Sequence, residues 1–343
     1  MMNDAHWMRI ALEEARKANG LTSPNPPVGA AIIKGNELLA AAHHQFAGGP
    51  HAEVNAINAA TAAHGASAIE GETIYVTLEP CSTTGKTPPC TNAIRDAGFS
   101  RVVFGSSDPN PANHGKAAKA LSESGIKVTQ GVHRDECDAL LAPWKKFITT
   151  GRPWVIAKAA VSLDGKITRP DGEGQWLTGE KAREHSMQFR RRADAILVGA
   201  NTVRADNPKL TVRGETADGK KPPWLGVLTR SGYLPDDAHL FTDTFKDQTL
   251  VFRDGLQEAL DELAAKECVT VLLEGGGQLL GQAFAAQFVD EAAFYVAPMI
   301  CGNDCVDSVG VAVPSSIQLA NVETAKLDSD IVVSGIVVRA PRP

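Results

Sequence analysis

Residues 51–90 read HAEVNAINAATAAHGASAIEGETIYVTLEPCSTTGKTPPC. Within this stretch stand one imidazole, His51, two thiols, Cys81 and Cys90, and a carboxylate, Glu53, that need not be a ligand. Zinc takes nitrogen and sulfur donors in a tetrahedral shell, and a catalytic zinc keeps one position open for water. Three protein ligands and a spare acid therefore make a coherent hydrolytic set.

The flanking residues place these groups at element ends. Thr73 to Leu78 is β-branched and aromatic, and Pro80 stops that strand just before Cys81. His51 follows Gly48-Gly49-Pro50, and Val54 and Ile57 at i and i+3 predict a helix from His51 to Ala63 with His51 in its first turn. Cys90 follows Pro88-Pro89 and precedes a second helix, Thr91 to Ala97, where the positive end of the dipole favours a thiolate. Two helix starts and one strand end can converge on one cation, and zinc bound there lowers the pKa of water toward about 7. Glu53 is then the proton shuttle. Nucleobase deaminases follow this plan, with a His-x-Glu element, a Pro-Cys element and a glutamate that does not bind metal. Their usual Cys-x-x-Cys spacing is stretched here to eight intervening residues. Cys137, Cys268, Cys301 and Cys305 have no such company and read as structural or free thiols.

Outward from this stretch, helix-like segments from Asp4 to Asn19, His51 to Ala63 and Thr91 to Ala97 alternate with strand-like runs. Those runs are Val28 to Ile33, Thr73 to Leu78 and Arg101 to Phe104, and the alternation implies a layered α/β domain. Lys34-Gly35-Asn36-Glu37 reads as a tight hairpin turn. The pattern restarts after Thr149-Thr150-Gly151-Arg152-Pro153, which divides the chain into domains 1–148 and 149–343. In the second, strands are expected at Trp154 to Val161, Ala195 to Val198, Leu225 to Leu228, Thr249 to Phe252, Val269 to Leu273 and Ala292 to Val296. Helices are expected at Gly179 to Arg192, Leu256 to Lys266 and Leu279 to Phe288.

At 343 residues and 43% hydrophobic content the chain can build two cores. Six cysteines do not make a disulfide-dense scaffold, and thiol ligands need reducing conditions. With no signal segment and no apolar run of about eighteen residues, a cytoplasmic protein without a membrane partner is expected. A formal charge of -6 argues against a broad basic surface for nucleic acid. Arg190-Arg191-Arg192 is the one dense basic run, a solvated helix face or an anion contact by one of the three.

At Asn25-Pro26-Pro27-Val28-Gly29, His51-Ala52-Glu53, LEPCSTTGKTPPC from Leu78 to Cys90, and Asp108-Pro109-Asn110-Pro111, the first half resembles the deaminase half of the bifunctional riboflavin-biosynthesis deaminase/reductases. The resemblance continues through AKAAVSLDGKI, WLTGEKAREH, DAILVGANTVRADNPKLTVR and LLEGGGQLLG and covers nearly the whole chain. It implies a cytidine-deaminase-like three-layer α/β domain followed by a dihydrofolate-reductase-like α/β domain. The implied first reaction removes the 2-amino group of 2,5-diamino-6-(5-phosphoribosylamino)pyrimidin-4-one; the second uses NADPH to reduce the ribosyl chain to a ribityl chain. It also implies one zinc per chain on His51, Cys81 and Cys90, Glu53 as general acid/base, and substrate contacts at Asn25, His44, Lys86, Asp108 and Asn110.

In the second half the resemblance implies cofactor contacts at Ala160, Trp176, Thr202, Asp206 and Thr229, and substrate contacts at Lys158, Gly174, Arg190, Leu210, Arg213 and Glu274. Gly275-Gly276-Gly277, between a strand and a helix, offers backbone N–H groups to the cofactor's phosphates. The partner expected is a small phosphorylated pyrimidine, with no nucleic acid, in a homo-oligomer (dimer or tetramer). The chain departs from the family at Ser82-Thr83-Thr84, where a His is common, at Gly174, where many members carry Ser, and near Thr229, where an acidic residue is usual. These departures keep open a working deaminase joined to an impaired or altered-substrate reductase. A polynucleotide deaminase and a non-catalytic zinc protein are the further alternatives; the acidic balance argues against the first and Glu53 against the second.

Overall fold

Trp7, Met8, Ala11 and Leu12 recur at helical spacing and are buried together against Ala31, Ile33, Tyr75 and Val103, which alternate along three strands. This packing organises the first of two units, Met1–Gly151 and Arg152–Pro343, in the computed structural model, which describes residues 3–84, 88–110, 113–213 and 221–338. The first unit runs α1 (Asp4–Ala18), β1 (Gly29–Lys34), β2 (Glu37–His43), α2 (Ala52–His64), β3 (Thr73–Leu78), α3 (Cys90–Asp96), β4 (Arg101–Ser106), α4 (Lys116–Glu123), β5 (Lys127–Gln130) and α5 (Arg134–Thr150). Its sheet has the order β2-β1-β3-β4-β5. Helices α1 and α5 pack together on one face, while α2, α3 and α4 form a second neighbouring group, so the unit has three layers. The expected hairpin is present, with Lys34 paired to Glu37.

The parallel pairing of β3 with β4 brings Leu78 beside Ser106, so the residues that follow both strands emerge at one edge. That edge carries Cys81 and Asp108. Helices α4 and α5 and strand β5 have no counterpart in the sequence reading. Pro143 lies inside α5, where it reads as a helix breaker, and the helix continues through it. The sequence-based division after residue 148 falls in the last turn of α5, whereas the units part after Gly151.

The second unit runs β6 (Trp154–Val161), α6 (Glu180–Arg192), β7 (Ala195–Gly199), α7 (Ala200–Asp206), β8 (Trp224–Leu228), α8 (His239–Thr242), β9 (Thr249–Phe252), α9 (Leu256–Ala265), β10 (Thr270–Glu274), α10 (Gly277–Ala285), β11 (Glu291–Val296), β12 (Gln318–Leu327) and β13 (Asp330–Val338). The eight strands have the order β12-β13-β11-β6-β10-β7-β8-β9. From β11 to β9 neighbours are parallel, and the hairpin β12–β13 joins antiparallel. Continuous apolar runs such as Val271-Leu272-Leu273 are buried on both faces, as inner parallel strands require. The hairpin was missed because β12 is mostly exposed and lacks an apolar alternation. Its partner reaches back along the chain: the Asp330 carboxylate accepts the N–H of Gly179 at 2.7 Å, capping α6. No helix among the described residues is long and apolar enough to cross a membrane.

Candidate active sites

His51, Cys81 and Cys90 meet in the first unit, with their ligand atoms all within 4.8 Å of one another. His51 is the residue just before α2, not within its first turn as the sequence suggested; Cys90 opens α3 after Pro89. His51 Nδ1 lies 3.2 Å from Cys90 Sγ and 3.5 Å from Cys81 Sγ. A tetrahedral zinc with ordinary bond lengths would set such nitrogen–sulfur edges at about 3.6 Å. The donors thus fit zinc with little movement, and the backbone N–H of Cys90 donates to Cys81 Sγ at 3.3 Å, which favours a thiolate there.

The electrostatics of the cluster point the same way. Hydrogen bonding from the Cys90 thiol holds Cys81 well below the usual thiol range against the effect of burial, with further help from His51. Its neighbour Cys90 is pushed up because it supplies that proton and is itself buried. The His51 imidazole is raised by its bond to Cys81, and Glu53 is raised by burial and then by the Cys81 charge. Glu53 is 3% exposed and, standing outside the ligand group, is available to hold a proton.

His44 and Asn25 adjoin this centre. The His44 and His51 rings meet edge to face at 5.4 Å. His44 Nδ1 lies 2.9 Å from the Pro50 carbonyl, so it carries the proton, and Nε2 accepts from Asn25 Nδ2 at 3.0 Å. Burial lowers the His44 pKa. The Asn25 side-chain oxygen has no hydrogen-bond partner among the described residues and remains an acceptor. Asp108 is buried, its Oδ1 accepts the Asn110 N–H at 2.8 Å, and burial raises its pKa. Lys86 lies outside the described residues. Thr83, in the departing Ser82-Thr83-Thr84 run, donates to Asn113 Oδ1 at 2.9 Å.

Glu79 was missed by the sequence reading. It is 2% exposed, and its Oε2 accepts the N–H groups of Asp108 and Gly115, each at 3.2 Å. It thereby ties the loop bearing Asp108 and Asn110 to the strand end that leads into Cys81. A buried acid two residues before a ligand is the signal that could have marked it.

In the second unit one cavity of about 1220 Å³ runs along the carboxyl ends of the parallel strands. Every position named from the sequence in this half is on its wall: Lys158, Ala160, Gly174, Trp176, Arg190, Thr202, Asp206, Leu210, Arg213, Thr229, Glu274 and Gly275 to Gly277. Glu274 pairs in register with Lys158 across β10 and β6. Its carboxylate takes both Arg190 Nε at 2.8 Å and Nη2 at 2.7 Å, and Lys158 Nζ stands 3.4 Å away. Burial works against the Glu274 charge, but Lys158 and Arg190 outweigh it and hold the carboxyl at about 2. Two members of the basic run meet carboxylates rather than the one expected: Arg190 pairs with Glu274 on the cavity wall, and Arg192 pairs with Glu291 at 2.6 Å. Arg183 covers the Trp176 ring at 5.2 Å. Gly174 has a φ of 98°, a conformation glycine adopts without strain and serine does not.

The three glycines are not equivalent. A Cβ at Gly277 would stand 1.9 Å from the Asp307 carbonyl oxygen, and Gly310 donates to the Gly277 carbonyl at 2.9 Å, so this glycine is needed for close backbone packing. Gly276, with nothing nearer than 4.0 Å, is the one open to a phosphate at the start of α10.

Fold and site together define a zinc deaminase joined to a nucleotide-dependent reductase. Residues 1–106 match the cytidine and deoxycytidylate deaminase zinc-binding region, and residues 153–333 match the RibD C-terminal domain. The riboflavin biosynthesis protein RibD of Bacillus amyloliquefaciens is 37% identical over 331 residues, 89% of this chain and 87% of that protein. The Aquifex aeolicus protein of the same name is 35% identical over 352 residues, covering 96% of this chain and 97% of its own. Among solved structures, Acinetobacter baumannii RibD superposes with a TM-score of 0.87 at 32% identity, over 98% of this chain and 99% of that one. The diaminohydroxyphosphoribosylaminopyrimidine deaminase/5-amino-6-(5-phosphoribosylamino)uracil reductase of Thermotoga maritima gives 0.86 at 32% identity, over 96% and 97%. The chain belongs to the RibD family, the bifunctional deaminase/reductases of riboflavin biosynthesis. Its cofactors are zinc and NADPH, and its substrate is a small pyrimidine. No observation favours the polynucleotide, non-catalytic or impaired-reductase alternatives.

Proposed function

We propose that the first unit deaminates 2,5-diamino-6-(5-phosphoribosylamino)pyrimidin-4-one with one zinc held by His51 Nδ1, Cys81 and Cys90, and that the second reduces the product's ribosyl chain. The observation that carries this reading is the meeting of those three donors beside the buried carboxyl of Glu53. Zinc, when bound, supplies the Lewis acidity that activates water. Glu53 takes a proton from the attacking water and delivers it to the ring nitrogen or the departing ammonia. The Asn25 side-chain oxygen, its amide nitrogen held by the His44 ring, and the Asp108 carboxyl receive the pyrimidine's N–H groups; Lys86 and Asn110 serve the phosphoribosyl end.

In the second unit NADPH supplies the hydride, and the protein aligns it with the sugar's C1. The cofactor is held by Ala160, Trp176, Thr202, Asp206, Thr229 and Gly275 to Gly277, a reading supported by their common place on the cavity wall. The substrate is met by Lys158, Gly174, Arg190, Leu210, Arg213 and Glu274, which share that wall. Lys158, paired with Glu274 in a buried site, is placed to stabilise charge developing on the sugar oxygen. The thiol ligands support a cytoplasmic location, where they stay reduced. We expect a homo-oligomer, dimer or tetramer, which sedimentation would read directly.

The purified chain should release ammonia from the phosphorylated diaminopyrimidine without NADPH, and should oxidise NADPH only once the deaminated product has formed. Ammonia release without any NADPH oxidation would overturn the second half of this reading.

A further inference from the structure

The cavity of the second unit is bounded, in sheet order, by the carboxyl ends of β6, β10, β7, β8 and β9. Neighbouring strands lie about 4.8 Å apart, so this rail is about 19 Å long and suits a dinucleotide laid across it. The Lys158–Glu274–Arg190 cluster occupies the β6–β10 end, and the Gly276 turn lies beside it toward β7. The adenosine end of the cofactor is left to β8 and β9.

Two guanidinium groups stand there. Arg230 follows β8 and Arg253 follows β9; both line the cavity, and neither has a hydrogen bond or ion pair among the described residues. The strand ends are brought together, since a Cβ on Gly232 would lie 2.9 Å from Arg253 Nη2. The intervening turn is fixed by Thr229 Oγ1, which accepts the Gly232 N–H at 3.1 Å, and Ser231 Oγ, which accepts the Tyr233 N–H at 3.3 Å. Both hydroxyls keep a proton to donate to an anion. The nearest acid in sequence, Asp254, is hydrogen-bonded to Glu258 and is not on the cavity wall. A dinucleotide site that reads a bare ribose 2′-hydroxyl uses an acid at such a strand end, whereas one that reads a 2′-phosphate uses arginine.

We propose that Arg230 and Arg253 bind the 2′-phosphate of NADPH and set the preference for NADPH over NADH. The proposal rests on the reading that this cavity holds the cofactor. It is tested by calorimetric titration of the full chain with NADP+ and with NAD+. The wild type should bind NADP+ the more tightly. Arg230→Gln and Arg253→Gln should each weaken NADP+ by roughly tenfold, as for a lost charge-assisted contact, and leave NAD+ unchanged. The double variant should bring the two affinities close together and remove most of the salt dependence of NADP+ binding. Undiminished NADP+ binding in the double variant, or an equal loss for both nucleotides, would overturn the arginine assignment alone. A wild type that binds neither nucleotide would overturn the cavity reading along with it.

Discussion

The two units solve opposite problems of scale. In the first, the candidate metal-ligand atoms lie within 4.8 Å of one another and come from two helix starts and a strand end. In the second, the chemistry is strung along the ends of five parallel strands and draws on single residues from each. A cation concentrates its binding energy in a few short bonds, so the first site should respond to substitution almost as a switch. A dinucleotide spreads its contacts, so the second should respond by degrees.

Glu53→Gln is the sharpest test of that contrast. It should keep one zinc per chain by metal analysis yet lower ammonia release by about 10²- to 10⁴-fold, with NADPH oxidation on supplied deaminated product unchanged. A variant as active as wild type would leave the switch without its proton carrier. Glu274→Gln probes the point where the second site is most concentrated, because it strips Arg190 and Lys158 of their buried partner. The folded Glu274 carboxyl is depressed to about 2 from 4.5, so its stabilisation is fully present above pH 4.5 and is lost as the pH falls toward 2. The variant should therefore be less stable by about 3 kcal/mol at neutral pH in denaturant titrations, with the gap to wild type closing across that window. A pH-independent gap would remove the ion cluster from the explanation.

Glu79→Ala should raise the KM for deamination by roughly tenfold, since two N–H groups of the Asp108 loop lose their acceptor, while zinc content stays at one per chain. Steady-state kinetics with metal analysis would separate this from collapse of the zinc site. The smallest effects divide the glycines. Gly277→Ala should cost about 1 to 3 kcal/mol of stability through its clash with Asp307, whereas Gly276→Ala should leave stability unchanged and weaken NADP+ binding. Equal stability losses at both would mean that neither glycine is reserved for a phosphate.

The same difference of scale governs what could be read before the fold was known. His51, Glu53, Cys81 and Cys90 carry unusual chemistry in short motifs, and Pro80 and Pro89 mark the element ends that aim two of them. The inner strands were legible as apolar runs, but β12 was not, because exposure on both sides erases its alternation. Glu274 and Lys158 become partners only through the pairing of β10 with β6, which no local pattern encodes. Within the glycine triplet, the sequence could not tell a packing glycine from one with open space beside it, since the distinction lies in a backbone segment thirty residues away.

The carboxylate of Asp330 at the start of α6 has a bearing on how the protein is made. Every strand of the first sheet has been synthesised by Gln130, so that unit can close while translation continues. The second cannot, because β6, made first, lies between β10 and β11, and the helix that carries Arg190 waits for a cap supplied near the end of β13's hairpin turn. On the ribosome the reductase half is therefore expected to stay protease-sensitive long after the deaminase half is protected, an order that limited proteolysis of stalled nascent chains would reveal.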